Sequence, residues 1–210
     1  KKLTLPVNPK TLTVFKAEKI LWALALLAAV MWFYDVPGWA LLLTMSLTSI
    51  AILYYVLGFV VFNEIGFRQL IGKGGLKGLG WMRIIWGVLM GFGTSMISMG
   101  LLFKMQIWPG AETMLLSGSF LTLMMVVAGL IAYLKNRAAW LKPPLLRATI
   151  IAGIGLLLFT TADATLVDIQ HRNDPELAEA VKEALQNPDN PELWEKVEEL
   201  EQARYSGEDD

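Results

Sequence analysis

GWALLLTMSLTSIAILYYVLGFVVF, residues 38–62, runs for 25 positions without a single charged side chain. A bilayer core of about 30 Å needs about 20 helical residues, so this stretch reads as a membrane span. Working outward, four further stretches have comparable character: about Ala17–Tyr34, Trp81–Ile107, Ala111–Leu134 and Leu145–Val167. The last is the weakest, because Arg147, Thr160, Thr161, Asp163 and Thr165 interrupt it. None carries the small-residue cleavage site of a signal peptide. The expected fold is therefore an all-α integral membrane protein with five transmembrane helices in tandem hairpins. Residues 1–16 are assigned to an N-terminal tail, 17–167 to the membrane domain and 168–210 to a C-terminal extramembrane helical hairpin.

Composition agrees. Hydrophobic residues make up 55% of the 210, and charged residues 18%, against about 25% in soluble domains. Mean hydropathy is +0.49. With no cysteine and a single histidine, His171, the chain lacks thiol nucleophiles, iron–sulfur ligands and histidine clusters for haem or zinc. No catalytic, cofactor-binding or metal-ligating residue is expected, and no nucleic-acid partner.

Charge is distributed unevenly. Residues 1–167 carry 14 Lys/Arg against 5 Asp/Glu, a balance of +9, whereas residues 168–210 carry 4 against 14, a balance of −10. Lys1, Lys2, Lys10, Lys16 and Lys19 precede the first span. Arg68, Lys73, Lys77 and Arg83 lie between the second and third, and Lys135, Arg137, Lys142 and Arg147 between the fourth and fifth. The other two connections, 34–38 and 106–110, contain no Lys or Arg. The positive-inside bias then puts the N-terminus and both basic loops in the cytoplasm, and the acidic tail in the periplasm. If the fifth stretch only lies along the surface, the tail is cytoplasmic. Trp32, Trp39 and Trp108 by the outer turns, with Trp81 and Trp140 by the basic loops, match the aromatic belts of a membrane protein.

Two repeats organise the chain. Pro37-Gly38 and Pro109-Gly110 are 72 residues apart, each between two apolar spans. Pro fixes φ and discourages helix in the residue before it, while Gly tolerates a sharp reversal. In the tail, Asp174-Pro175-Glu176-Leu177 recurs 16 residues later as Asn190-Pro191-Glu192-Leu193. Each copy reads as an N-cap, proline at the first helical position and glutamate in the first turn. Leu177, Val181, Ala184 and Leu185 form one apolar stripe; Leu193, Trp194, Val197 and Leu200 form another. Two such short helices cannot enclose a core, so Leu177, Val181, Trp194 and Val197 are expected to dock the tail, with Trp194 buried by a surface outside it. Residues 206–210 are expected to fray.

Few residues could carry chemistry. Lys104 lies near the outer end of the third span, a few residues before Trp108-Pro109-Gly110, and a lysine at such a depth needs to snorkel or find a partner. Glu112, just across the turn, and Asp163, among the threonines of the fifth stretch, are the candidates. The three read either as a structural ion pair or as part of an ion path. Gly72–Gly80, with Lys73 and Lys77, fails the phosphate-loop pattern because no Ser or Thr follows either lysine. It reads as a basic loop near lipid headgroups. Gly87, Gly91 and Ser95 make a small-residue face on which another helix can pack closely.

The segment Leu102-Phe103-Lys104-Met105-Gln106-Ile107-Trp108-Pro109-Gly110-Ala111 resembles the first membrane hairpin of the gliding-motility and type IX secretion motor protein GldL of Bacteroidota. The resemblance spans about residues 100–134 and extends to uncharacterised membrane proteins of that phylum. Lys104, Trp108, Pro109, Gly110 and Ala111 match the family's motif. Ile107 replaces its histidine, and Thr122 stands near the position of its membrane glutamate. The resemblance implies bacterial lineage and hairpin structure, without the polar groups of a proton-driven motor. The function expected is that of a non-enzymatic inner-membrane scaffold or accessory subunit, with the lipid bilayer and other membrane subunits as partners. The alternative is an ion- or proton-conducting or transport component related to a motility or secretion motor.

Overall fold

The computed structural model describes residues 11–63, 80–136 and 141–207. Within them lie eight α-helices: α1 (Thr11–Phe33), α2 (Trp39–Phe62), α3 (Trp81–Met105), α4 (Ala111–Asn136), α5 (Lys142–Thr160), α6 (Asp163–Gln170), α7 (Pro175–Gln186) and α8 (Pro191–Gly207). The chain is all-helical over these residues. The basic stretches at 1–10 and 64–79, with Arg68, Lys73 and Lys77, lie outside the described residues, as do Arg137 and Trp140.

Four helices are long and apolar enough to cross a membrane: Trp39–Phe62, Trp81–Met105, Ala111–Lys135 and Lys142–Thr160. This suits a multi-pass membrane protein. The first helix is not among them, because Lys16, Glu18 and Lys19 fall inside it. Its uncharged run from Ile20 to Phe33 covers only about 21 Å at 1.5 Å per residue. Helix also begins at Thr11, six residues before the expected start of the first span. At the other end, α8 continues to Gly207, past the start of the expected fraying; 208–210 lie outside the described residues.

The stretch 145–167 is not one helix. Thr161 and Ala162 are extended, with φ −83 and −66, and separate α5 from α6. The hydroxyls of Thr160 and Thr161 both return to the Leu157 carbonyl. Such local bonds give the backbone an alternative to continuing the helix.

The turns at 34–38 and 106–110 have one backbone. Asp35 and Ile107 are left-handed at φ 56 and 57, and Gly38 and Gly110 at φ 88 and 87. Val36 donates to the Met31 carbonyl and Asp35 to Trp32; Trp108 donates to Phe103 and Ile107 to Lys104. These are the paired bonds that close a helix C-terminus on a left-handed residue, with proline following. The 72-residue repeat is thus a repeat of hydrogen bonding. Each reversal uses two left-handed residues, and only the second is glycine.

Packing follows the chain. α1 lies on α2, α2 on α3, and α3 on both α4 and α5, while α4 also meets α5. The α2–α3 contact is the closest, and it is where the predicted small face is used. A Cβ on Gly91 would sit 2.6 Å from the Gly58 Cα, and Ser95 donates to the Ala51 carbonyl at 2.8 Å. The other side of α3 meets α4 and α5 through Gly93, Gly100, Gly118 and Gly155. The core threads this contact, with Tyr54, Phe62, Met90, Ile97 and Leu115 all fully buried.

Candidate functional site: charged groups at the two ends of the bundle

Lys104 is 1% exposed in the last turn of α3. Its ammonium lies 2.6 Å from Asp163 Oδ1, in the first turn of α6, and 3.7 Å from Glu112 Oε1, in the first turn of α4. The three residues singled out in the sequence are brought together. Each charge also suits its own helix: the cation sits at a C-terminus, the carboxylates at N-termini. Lys104 does not snorkel to water. Its partners are the exposed members, Glu112 at 68% and Asp163 at 45%. The break at Thr161–Ala162 makes this geometry, because it starts a new helix beside Lys104. The neighbouring Gln106 amide donates to Thr44 Oγ1 at 2.7 Å, tying the second turn to α2.

A second cluster, unforeseen in the sequence, occupies the opposite end. Glu18 is 4% exposed, and Tyr54, fully buried, donates to its Oε1 at 2.6 Å. Trp22 Nε1 donates to the Tyr54 hydroxyl at 3.2 Å, and Arg147 lies 3.3 Å from Glu18 Oε2. α1, α2 and α5 therefore meet at one carboxylate. The available signal was Arg147 inside an apolar stretch, which demands an anionic partner. Nearby, Arg83 Nε donates to Asn63 Oδ1 at 2.8 Å and a second guanidinium nitrogen to the Asn63 carbonyl at 3.2 Å, joining the end of α2 to the start of α3.

Between the two ends lie hydroxyls. Thr94 and Ser98 donate to carbonyls of their own helix. Ser119 and Thr122 are fully buried, and their oxygens have no hydrogen-bond partner. Among the described residues no three His, Cys, Asp or Glu side chains converge in the manner of a metal site.

The tail packs at the Lys104 end. Asp174 caps α7 by accepting from the Leu177 amide at 3.1 Å, and Asn190 caps α8 by accepting from the Glu192 amide at 3.1 Å, as their spacing predicts. Leu177, Val181, Ala184 and Val197 are buried together with Val167 of α6, and Ile107 of the second turn packs against them. Trp194 behaves differently from expectation. It is 36% exposed and donates to the Pro188 carbonyl inside the tail, at 3.0 Å. Polar contacts do the docking that Trp194 was expected to do. Arg204 pairs with Asp35 in the first turn, and Arg172 lies 4.6 Å from the Phe33 ring centroid. Trp32 is buried and donates to Gln170 Oε1 at 3.3 Å, so it faces protein where a headgroup belt was expected. Trp108 and Trp81 are exposed at 43% and 69%. His171, 6% exposed beside Asp35, Arg204 and Asp174, has its pKa pushed below the ordinary value, chiefly by burial.

No family model, curated protein or solved structure matches the chain.

Proposed function

We propose that the chain is a non-enzymatic scaffold or accessory subunit of a larger complex in a bacterial inner membrane. The observation that carries this reading is the way the buried charges are used. Lys104 is closed by two carboxylates at one end, and Glu18 by Tyr54 and Arg147 at the other. Both clusters tie helix ends together, which is structural work. The arrangement goes with five spans in tandem hairpins, α1 being the fifth, held in the bilayer by its neighbours. The N-terminus is then cytoplasmic and the tail periplasmic. In support, both lysine-free turns and the tail lie at one end of the bundle, where Arg204 meets Asp35 and Ile107 meets the tail core.

Purification in mild detergent tests the reading. A stoichiometric membrane partner is expected to accompany the chain. A lone species that dissipates a proton gradient in liposomes would replace this reading by the second one, a conducting or transport component related to a motility or secretion motor. The buried, unpartnered hydroxyls of Ser119 and Thr122 favour that alternative, since polar groups inside a bundle can line a path for protons or ions.

A further inference from the structure

We infer that the groove between α1 and α5 holds an acyl chain of an anionic glycerophospholipid, with the lipid phosphate between Lys19 and Arg147. α1 packs on α2, and α5 on α3 and α4, which leaves a slot between α1 and α5. The slot has two joined parts that share Trp22 and Ile154. One, of about 320 Å³, is bordered by Glu18, Lys19 and Arg147; the other, of about 420 Å³, is almost wholly apolar. Leu43 and Leu47 of α2 and Leu101 and Met105 of α3 form the floor of the apolar part.

Length, width and charge each select the occupant. The slot is bridged at one end by the Glu18–Arg147 pair and at the other by the Trp32–Gln170 bond. From Trp22 to Phe33 it runs about 17 Å along α1, close to the thickness of a single leaflet, about 15 Å. A helix of a second copy, about 10 Å across, would lie over the slot from outside, whereas one extended hydrocarbon chain is slim enough to lie along it. At the polar end, exposed Lys19 together with Arg147 outnumbers Glu18, whose carboxylate is already engaged by Tyr54 and Arg147. Basic side chains beside an apolar slot at a helix end match a phosphate headgroup above its chain. The inference rests on the membrane reading, and it holds for a subunit or a conductor alike.

The test is native mass spectrometry of the full chain, delipidated in mild detergent and titrated with phosphatidylglycerol or phosphatidylcholine. One phosphatidylglycerol per chain is expected to persist under activation that strips phosphatidylcholine. Lys19→Gln should weaken retention about fivefold, the effect of one basic residue near a phosphate surface. Ile154→Trp, which fills the slot from α5, should abolish retention while the thermal transition stays in place. Ala29→Phe fills it from α1 and serves if the first variant does not fold. Equal retention of both lipids, or full retention in either filled variant, would overturn the assignment. So would competition by glycerol phosphate as strong as by the intact lipid, which would mark a plain phosphate site. Disulfide dimers formed in high yield by Leu157→Cys would overturn it in favour of a second copy over the groove.

Discussion

Lys104 shows how a buried charge depends on which partner is removed. Removing one partner of a buried pair costs about 3–5 kcal/mol because it leaves an uncompensated buried ion, and that penalty falls away where the group left behind is already in water. Asp163 and Glu112 are substantially exposed, so they lose little when Lys104 is taken away. Lys104→Met is therefore expected to keep the thermal transition within about 1 kcal/mol of the parent. Asp163→Ala with Glu112→Ala should lower stability by about 3 kcal/mol or more, because it strands the lysine. Equal losses in the two variants would show that the pair does not behave as a buried lysine with two wet partners. Gly91 offers a second test at the same scale. Its Cα–H faces the Gly58 Cα and the Tyr54 carbonyl, so Gly91→Val must push α2 and α3 apart. A loss of about 1–3 kcal/mol is expected, read as a drop in the detergent melting temperature.

Helices α6 to α8 form an element whose attachment is polar at its edges and apolar at its centre. Leu177 is fully buried among Val167, Val181 and Val197, while Arg204 reaches Asp35. Leu177→Ala with Arg204→Ala should release the tail to a protease while the spans stay inserted. Trp194→Ala should have little effect on that cleavage, since the indole is exposed and bonded within the tail. His171 adds a pH dependence. Burial holds its pKa below the ordinary value of about 6.5, so the unfolded tail binds more protons than the docked one. Docking stability from this group is complete above about pH 6.5 and declines as the pH falls through that value toward the docked-state pKa. Proteolysis of the tail should accelerate over that interval, and His171→Phe should flatten the profile. Arg204 works in the same direction as burial, and Asp35 and Asp174 oppose it.

At the scale of the molecule, the bundle has one end with lysine-free turns and the acidic tail and another where α1 and α5 begin among basic residues. Reporter fusions after Lys77, Lys142 and Asp210 are expected to read cytoplasmic, cytoplasmic and periplasmic. With Lys142 cytoplasmic, a cytoplasmic signal at Asp210 would mean that α5 does not cross and that 145–167 is an interfacial or re-entrant segment. Whether α1 crosses is read separately, by a reporter at the N-terminus, which is expected to be cytoplasmic; its Glu18 is held by Tyr54 and Arg147 and not by water.

Run length, hydropathy and cap chemistry are local properties, and they were enough to determine the long apolar helices between 38 and 134, the two N-caps of the tail and the period of the turns. Uncharged stretches of membrane length have few other uses, and Asp-Pro-Glu and Asn-Pro-Glu satisfy the first amides of a helix wherever they fold. The small face of α3 was equally legible, but its partner was not: only packing showed it to be α2, through Gly58. The same holds for Lys104, whose nearest carboxylate, Asp163, sits on a helix that exists because the chain breaks at Thr161. Glu18 went unread because a lone carboxylate between lysines looks like a solvated helix start, until Tyr54 and Arg147 converge on it. Trp194 went the other way, since size and apolarity argue for burial while the indole found its acceptor within its own turn. Local pattern determines which segments leave water; which buried group meets which is decided by the approach of helices distant in sequence.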